Sequence, residues 1–466
     1  MAGEANTDSV ETKDENITFH GESYPLVHAR KPQSELLFRL ERDFNIEKNR
    51  TFKDMVNYSP RAEAPVHRWF KYREGYSIDL IDTLISGGET LVLDPFCGCG
   101  STLLGARKRG IDAVGIDINP ISTFVSSVKT RDYTEQDLIE IECSFTNILS
   151  STSDAAIEKP NLSIVGKAFH PEILEYLLKL KYRINQLSDG KIRDFLLLGY
   201  LSIIESVSNT FKEGNGIKYK FTKRTQQGYK KIPIERWHAK AYPQNKIGFV
   251  NNFFADKVEL MLSDIKKIYY PITRTEVITT DSRHLTAYID EDTVSLCVFS
   301  PPYCNCFDYF EIFKLELWLG EFVKTYSDLR EMRRKSLRSN TNADLTGYVK
   351  EFDFLEEVID LMDEEKLWNK KVIPLVRGYF TDMERILDEI HDTLISGGRC
   401  FIIVGNSAYG GVVVPTDILL AKIAKALGYN VEKIVVARNL CTSSQQQKKL
   451  QHVKPFLRES LLCLRS

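Results

Sequence analysis

Residues 91–117 constrain the fold more than any other stretch of the chain. They read Leu91-Val-Leu-Asp-Pro-Phe-Cys-Gly-Cys-Gly-Ser-Thr102, a helical pattern to Lys108, a closing Gly110, and a second apolar run ending at Asp117. Leu91 to Asp94 has the unbroken apolar character of a strand buried on both faces of a parallel sheet. A glycine-rich turn follows, then a helix over about 101–108. The whole is a β-turn-α-β unit, and its two strands must run parallel with the helix crossing over one face. Just before it, Ile78, Ile81, Leu84 and Ile85 share one helical face, and Gly87-Gly88 stops that helix. The unit is the opening half of a doubly wound α/β sheet.

The turn also carries chemistry. Gly98 and Gly100 permit positive φ and let the backbone approach a ligand closely. A dinucleotide loop would favour a third glycine, to admit a pyrophosphate at the helix N-terminus. Here the spacing is G-x-G-S-T, and an acid, Asp94, stands before the loop. An acid there disfavours phosphate and suits a sulfonium or an ammonium. Asp117 ends the second strand, where a carboxylate can accept both hydroxyls of a ribose. With Phe96 alongside, the pattern describes a site for a cationic nucleoside without a diphosphate. S-adenosylmethionine fits that description.

Much later comes Ser300-Pro301-Pro302-Tyr303, after the apolar run Val294 to Phe299. Alone, two prolines here do no more than stop a strand. Beside a nucleoside site they gain a role. An exocyclic ring amine is a poor nucleophile, because its lone pair is delocalised into the ring. The Ser300 hydroxyl and the Pro301 carbonyl could accept its two hydrogens and let the nitrogen become more tetrahedral. The prolines stiffen the turn, and the Tyr303 ring could stack on a base swung out of its duplex.

Together these segments resemble the amino-group DNA methyltransferases. Asp94-Pro95-Phe96-Cys97-Gly98-Cys99-Gly100-Ser101-Thr102 and Gly115-Ile-Asp117-Ile118-Asn-Pro120 look like that family's motifs I and II, and Ser300-Pro-Pro-Tyr303 looks like motif IV. Tyr72-Arg-Glu-Gly-Tyr76-Ser77 resembles motif X, which in the family helps hold the methionine end. Asp281 resembles the motif III acid near the adenine. The resemblance implies S-adenosylmethionine as cofactor, double-stranded DNA as partner and a flipped base as acceptor, with a cognate restriction endonuclease as a further candidate partner. Serine at the first position of motif IV goes with cytosine N4, and adenine N6 stays open. Cys304 and Cys306 raise attack at cytosine C5, but that chemistry goes with a Pro-Cys pair, and here Tyr303 precedes Cys304.

The chain departs from the family in one respect. Motifs III and IV nearly touch, and a large insertion falls between II and III. That insertion shows helical periodicity at 171–187 and 194–211, then a basic, aromatic-bearing stretch over 211–246. The net charge of −2 rules out a wholly basic nucleic-acid surface, so contact must come from local patches. Lys218, Lys220, Lys223, Arg224, Lys230 and Lys231 in the first stretch, and Arg333, Arg334 and Arg338 in a second, are the candidates.

The expected architecture is a Rossmann-like, mostly parallel seven-stranded α/β sheet with an antiparallel terminal hairpin, plus a mostly helical insertion. The expected divisions are a disordered lead over 1–16, the cofactor half over 17–125, the insertion and candidate target reader over 126–270, and the catalytic half over 271–466 with an exposed basic loop over 325–345. Nine scattered cysteines without a secretory pattern point to reduced thiols in a cytoplasm. The two Cys-x-Cys pairs lack zinc spacing, so no metal is expected. No apolar run approaches the roughly 18–20 residues of a membrane span. An RNA guanine-N2 methyltransferase and a non-catalytic nucleic-acid-binding subunit are the alternative readings.

Overall fold

The computed structural model describes residues 16–19, 22–57, 64–73, 75–151, 164–214, 216–225, 228–440 and 449–466. The expected disordered lead lies outside them, except Asn16, which opens a short strand, Asn16–Phe19.

An eight-stranded sheet forms the centre. In chain order its strands are β1 (Ile46–Lys48), β2 (Leu91–Asp94), β3 (Asp112–Asp117), β4 (Thr275–Thr279), β5 (Val294–Phe299), β6 (Leu394–Gly405), β7 (Asn430–Asn439) and β8 (Arg458–Arg465). Their spatial order is β4-β3-β2-β5-β6-β8-β7-β1. β4 through β6 pair in parallel. β8 runs antiparallel between β6 and β7, which is the expected terminal hairpin. The strand beyond the expected seven is the short β1, which adds in parallel to the edge of β7.

Every residue of β5, Val-Ser-Leu-Cys-Val-Phe, is buried. A strand covered on both faces cannot alternate polar and apolar residues, which is why this one reads as a continuous apolar run. One face is covered by the helices Val372–Thr393 and Thr416–Ala426, and the other by Ile78–Leu84 and Ser101–Lys108. β2 and β5 are neighbours at the sheet centre, so the glycine loop after β2 and the Ser300 turn after β5 emerge side by side at their C-terminal ends. Ligands of open α/β sheets bind at that end.

The insertion packs its helices Glu135–Ser150, Pro171–Asn185, Gly190–Val207 and Lys246–Lys267 into one apolar cluster with Leu104, Ile121 and Val125 from the segment around β2 and β3. Buried Asp264 ties this cluster to the segment before the glycine loop. It accepts from the Val66 amide (3.0 Å), the Trp69 indole (3.1 Å) and the Arg68 guanidinium (2.5 Å). The basic stretch is not helical throughout: it forms two β-hairpins, Thr210–Glu213 with Gly216–Tyr219 and Thr222–Thr225 with Gly228–Lys231.

Residues 325–345 differ from the exposed basic loop expected of them. They open with a helix, Tyr326–Lys335, started by a capping box. The Asp328 amide donates to the Thr325 hydroxyl (3.1 Å), and the Thr325 amide donates to the Asp328 carboxylate (2.9 Å). Three cations in the last turn oppose the negative end of the helix dipole. A run of charge suggested solvent, but Thr-x-x-Asp was a readable helix start. No helix among the described residues is long and apolar enough to cross a membrane.

Candidate functional site

One cleft lies over the C-terminal ends of β2, β3 and β5, and it gathers most of the residues the motifs single out. Tyr76, Phe96, Gly98, Ser101, Asp117 and Ile118 line it, as do Asp281, Ser300 and Pro302.

The glycine loop shapes the first side. Gly98 has φ of +50° and Gly100 +81°, conformations that strain other residues. A Cβ on Gly98 would lie 3.2 Å from the Tyr72 ring, and one on Gly100 3.0 Å from the Ser126 hydroxyl, so both close approaches use the missing side chain. The Ser126 hydroxyl donates to the Gly98 carbonyl (2.9 Å). Beneath the loop, the buried Lys129 ammonium donates to the carbonyls of Cys99 (3.2 Å) and His67 (3.0 Å), and burial lowers its pKa to about 8. His67 pairs with the Ser101 hydroxyl at 2.8 Å, and burial, with Lys129 next to it, pushes it down to about 3, which keeps it neutral.

The two acids of the loop have different roles. The Asp117 carboxylate accepts the amides of Gly98 (3.0 Å) and Asn119 (2.8 Å) and faces the cleft. Burial pushes it up to about 6, opposed by those amides. Asp94, expected to face a cationic ligand, does not line the cleft. It is 1% exposed, and its oxygens accept the Tyr76 hydroxyl (2.9 Å) and the Phe96 amide (3.0 Å). Burial pushes its carboxyl up to about 7. Asp94 therefore reaches the cleft through Tyr76, whose ring lines it.

The other expected loop residues are supports. Ser77 caps the helix Ile78–Leu84. The Pro95 carbonyl accepts the Ser282 hydroxyl, and Thr102 donates to the Val298 carbonyl at 3.3 Å. Asp281 lines the cleft in an ion pair with Arg283 (2.6 Å).

On the second side, Ser300 opens into the cleft, and its hydroxyl has no partner among the described residues. Pro301 is buried and Pro302 lines the wall. Tyr303, expected to stack on the acceptor ring, points elsewhere: its hydroxyl donates to Glu459 of β8 (2.6 Å), and its ring lies against Gly405. The aromatic wall comes instead from Tyr309 and Phe307, with ring centres 4.7 Å apart. Tyr309 in turn stacks on Tyr72 (6.2 Å, 19°). Sequence reasoning missed Tyr309, Phe307, Ser336 and Ser339, all of which line the cleft. The aromatic run Phe307, Tyr309, Phe310 just after the proline turn was the one available signal.

The basic candidates divide. Lys218, Lys230 and Lys231 are exposed on the hairpins. Lys220 turns inward, donating to the carbonyls of Ser208 (2.8 Å) and Glu205 (2.9 Å). Lys223 and Arg224 stand on the strand Thr222–Thr225, with side chains outside the described set. Of the second group, Arg333 pairs with Asp308 (3.1 Å) and with Glu311, and half-exposed Arg334 pairs with Asp344 (3.1 Å). Arg338 is 6% exposed and bound to Asp382 at 2.7 Å. A buried, paired guanidinium cannot reach a phosphate, so Arg338 is a structural residue and not the DNA contact expected of it.

No protein-family model matches the chain. Among curated proteins it is 29% identical to the Type II methyltransferase M.BsoBI of Geobacillus stearothermophilus, with 89% of each chain covered. It is 26% identical to the Type II methyltransferase M.AvaI of Nostoc (85% of each) and 22% identical to the Type II methyltransferase M.MvaI of Kocuria varians (73% of this chain and 75% of that one). The solved rRNA methyltransferase aviRa from Streptomyces viridochromogenes aligns with 86% of this chain and 84% of its own at 8% identity and a TM-score of 0.24, too loose to bear on the fold. The chain is a methyltransferase, similar along most of its length to the Type II enzymes.

Proposed function

We propose that this methyltransferase moves a methyl group from S-adenosylmethionine to an exocyclic amino group of a base flipped out of double-stranded DNA, at cytosine N4. The observation that carries the reading is the cleft shared by Asp117 and the glycine loop on one side and by Ser300 and Pro302 on the other. The similarity to Type II methyltransferases supports DNA as the substrate, and the serine at position 300 supports cytosine. A cognate restriction endonuclease is the partner this reading implies.

The residues present fit the cofactor. Asp117 offers a carboxylate for ribose hydroxyls, the Gly98 backbone stands open because no Cβ fills the space beside Tyr72, and Tyr76 and Phe96 supply apolar rings. Asp281 stands near the ends of β3 and β4, where it suits the adenine. When bound, S-adenosylmethionine would supply a methyl made electrophilic by its sulfonium.

The chain's own task is to make the amine a nucleophile. The Ser300 hydroxyl accepts one amino hydrogen and the Pro301 carbonyl the other, so the nitrogen's lone pair leaves the ring system. Two prolines keep those acceptors fixed. Tyr309 and Phe307 hold the ring plane. Positioning supplies most of the rate, the proton that the methylated nitrogen must lose leaves to solvent, and no covalent intermediate with the enzyme is needed.

Methylome sequencing of a host that expresses the chain tests the reading, beside a Ser300→Ala control. The expected result is N4-methylcytosine at one short sequence, absent in the control. N6-methyladenine at one short sequence would replace cytosine by adenine, and methylation found only in RNA would overturn the reading.

A further inference from the structure

The cleft's acceptor end contains a segment that no motif predicts: Ser336, Leu337, Ser339 and Asn340, which face the same space as Ser300. We infer that Ser339 and Asn340 are the residues that read the ring edge of the acceptor base, and that the edge they match is that of cytosine. The inference rests on the amino-methyltransferase reading of the cleft and adds to it the residues that choose between bases.

The segment is held rigidly. The Cys306 amide, just past the proline turn, donates to the Ser339 carbonyl at 3.0 Å. Between the two serines, the Arg338 amide and guanidinium both donate to Asp382 of the helix Val372–Thr393, at 3.0 and 2.7 Å. The Arg338 stem lies so close to Gly378 of that helix that a Cβ there would come within 2.7 Å of it. Asp382 also pairs with Arg283 (3.2 Å), and Arg283 donates to the Lys335 carbonyl (2.8 Å). The position of residues 336–340 relative to Ser300 is thus fixed from both ends. A recognition group must be fixed in this way to discriminate by hydrogen bonding.

The polar atoms left over are donors. The Asn340 side-chain oxygen is taken, since it accepts the Asn342 amide at 2.9 Å. One hydrogen of its amide nitrogen points to the Ser336 hydroxyl (3.4 Å), and the second has no partner among the described residues. Among the described residues the Ser339 hydroxyl reaches only the Leu337 carbonyl, two residues back, at 3.5 Å, the outer limit of a hydrogen bond. Asn340 and Ser339 are 4% and 2% exposed, so neither donor is satisfied by bulk water at low cost.

Beside its exocyclic amine, cytosine presents two acceptors in succession, N3 and O2. Two adjacent donors complete that edge. Adenine presents N1 and then a C2–H, which would leave one buried donor facing carbon. On its Watson–Crick edge guanine presents N1–H next to its amine, which sets donor against donor at the Asn340 N–H and leaves only the Ser339 hydroxyl able to accept. A site built to hydrogen-bond a ring edge rejects an edge that lacks the partner far more strongly than an apolar pocket rejects an extra methylene.

The test uses the full-length protein and a duplex carrying the sequence found by methylome analysis, with either cytosine or 3-deazacytosine, whose N3 is a C–H, at the methylated position. For wild type, the analogue should lower kcat/KM by about tenfold to a hundredfold, the range of one lost hydrogen bond in a buried site. Asn340→Ala should lose a similar factor on cytosine, keep its cofactor Kd within about twofold, and show little further loss on the analogue. That non-additivity removes the analogue's separate effect on base pairing. Should Asn340→Ala fail to fold, Ser339→Ala carries the same cycle.

Equal activity of wild type and variant on cytosine overturns the inference. So does an analogue penalty that is the same in both proteins. A wild-type protein whose product is N6-methyladenine overturns the choice of cytosine while leaving the amino-methyltransferase reading intact. Absence of any methylated base in DNA overturns the reading itself.

Discussion

The two ends of the cleft are built on opposite plans. The proposed cofactor end comes largely from one continuous stretch, 96–119, with Tyr72 and Tyr76 added from the preceding segment. Its shape is set by local backbone, above all the positive φ of Gly98 and Gly100. The acceptor end draws on residues 300–310, 336–340 and Ile386, brought together by contacts between remote segments. Local conformational demands leave marks in a sequence, because glycine is strongly favoured where they fall. Long-range pairings leave none, because each partner looks like an ordinary surface charge until it is folded.

The largest effect should fall where that difference is sharpest. Arg338→Ala removes one partner of a buried ion pair, a loss of about 3–5 kcal/mol in typical cases. Asp382 keeps Arg283 at 3.2 Å, which places the expected loss near the lower figure. Chemical denaturation would measure it. In protein still folded, the KM for DNA should rise while the cofactor Kd holds. A variant that loses cofactor and DNA together would show that the two ends are one structural unit and would break the comparison.

Ser300→Ala comes next. It deletes the side-chain acceptor for the amino hydrogen and leaves the Pro301 carbonyl. Removing one preorganised polar group at a reacting centre typically costs about 10²–10³ in kcat. Single-turnover methylation at saturating cofactor would read this, with cofactor affinity unchanged. Because the hydroxyl has no partner among the described residues, stability should also be unchanged.

How far the sequence carried the reading follows from the same contrast. The strand–loop–helix–strand unit, the terminal hairpin and the proline turn were all legible, since each rests on a local rule of period, glycine or proline. Asp94 was misjudged because its position was visible but its cover was not: nothing in the string shows that the Tyr76 hydroxyl takes its oxygen at 2.9 Å. Arg333 and Arg338 were read as phosphate contacts because a charge run hides its partners, here Asp308, Glu311 and Asp382. Tyr303 was given a stacking role, but its hydroxyl is held by Glu459, and the ring that lines the cleft is that of Tyr309. The capping box at Thr325 and Asp328 was the one missed feature that a local rule would have found.

On the cofactor side, Asp117→Ala should weaken S-adenosylmethionine binding by about tenfold to a hundredfold, the loss of hydrogen bonds to a charged group. The pH dependence has a definite sign. Burial raises this carboxylate to about 6, so it gains a proton as pH falls through that value. Ribose hydroxyls need the ionised form, so affinity should be flat above neutrality and fall by up to about tenfold per pH unit below about 6. The same raised pKa means that protonation stabilises the ligand-free protein, so this group's contribution to stability grows as affinity declines. Calorimetric titration across pH 5–8 would show the slope, and Asp117→Asn should abolish it. A slope that persists in Asp117→Asn would assign the titration elsewhere, with Asp94, raised to about 7, the next group to test.

The smallest effects belong to the exposed hairpin lysines, and they test whether the rule about hidden partners has been drawn in the right place. Lys218, Lys230 and Lys231 remain at the surface where Lys220 is turned inward. If the three meet phosphates, each change to alanine should weaken DNA binding only a few-fold, alike for cognate and unrelated sequences, and lower the slope of log K against log salt by roughly 1. Lys220→Ala should behave differently. It releases the carbonyls of Glu205 and Ser208, so its cost should appear in stability, while the salt slope stays where it was. Equal salt slopes for all four variants would place the DNA away from these hairpins. A steeper loss for cognate DNA alone would move one of these lysines from the backbone to a base edge.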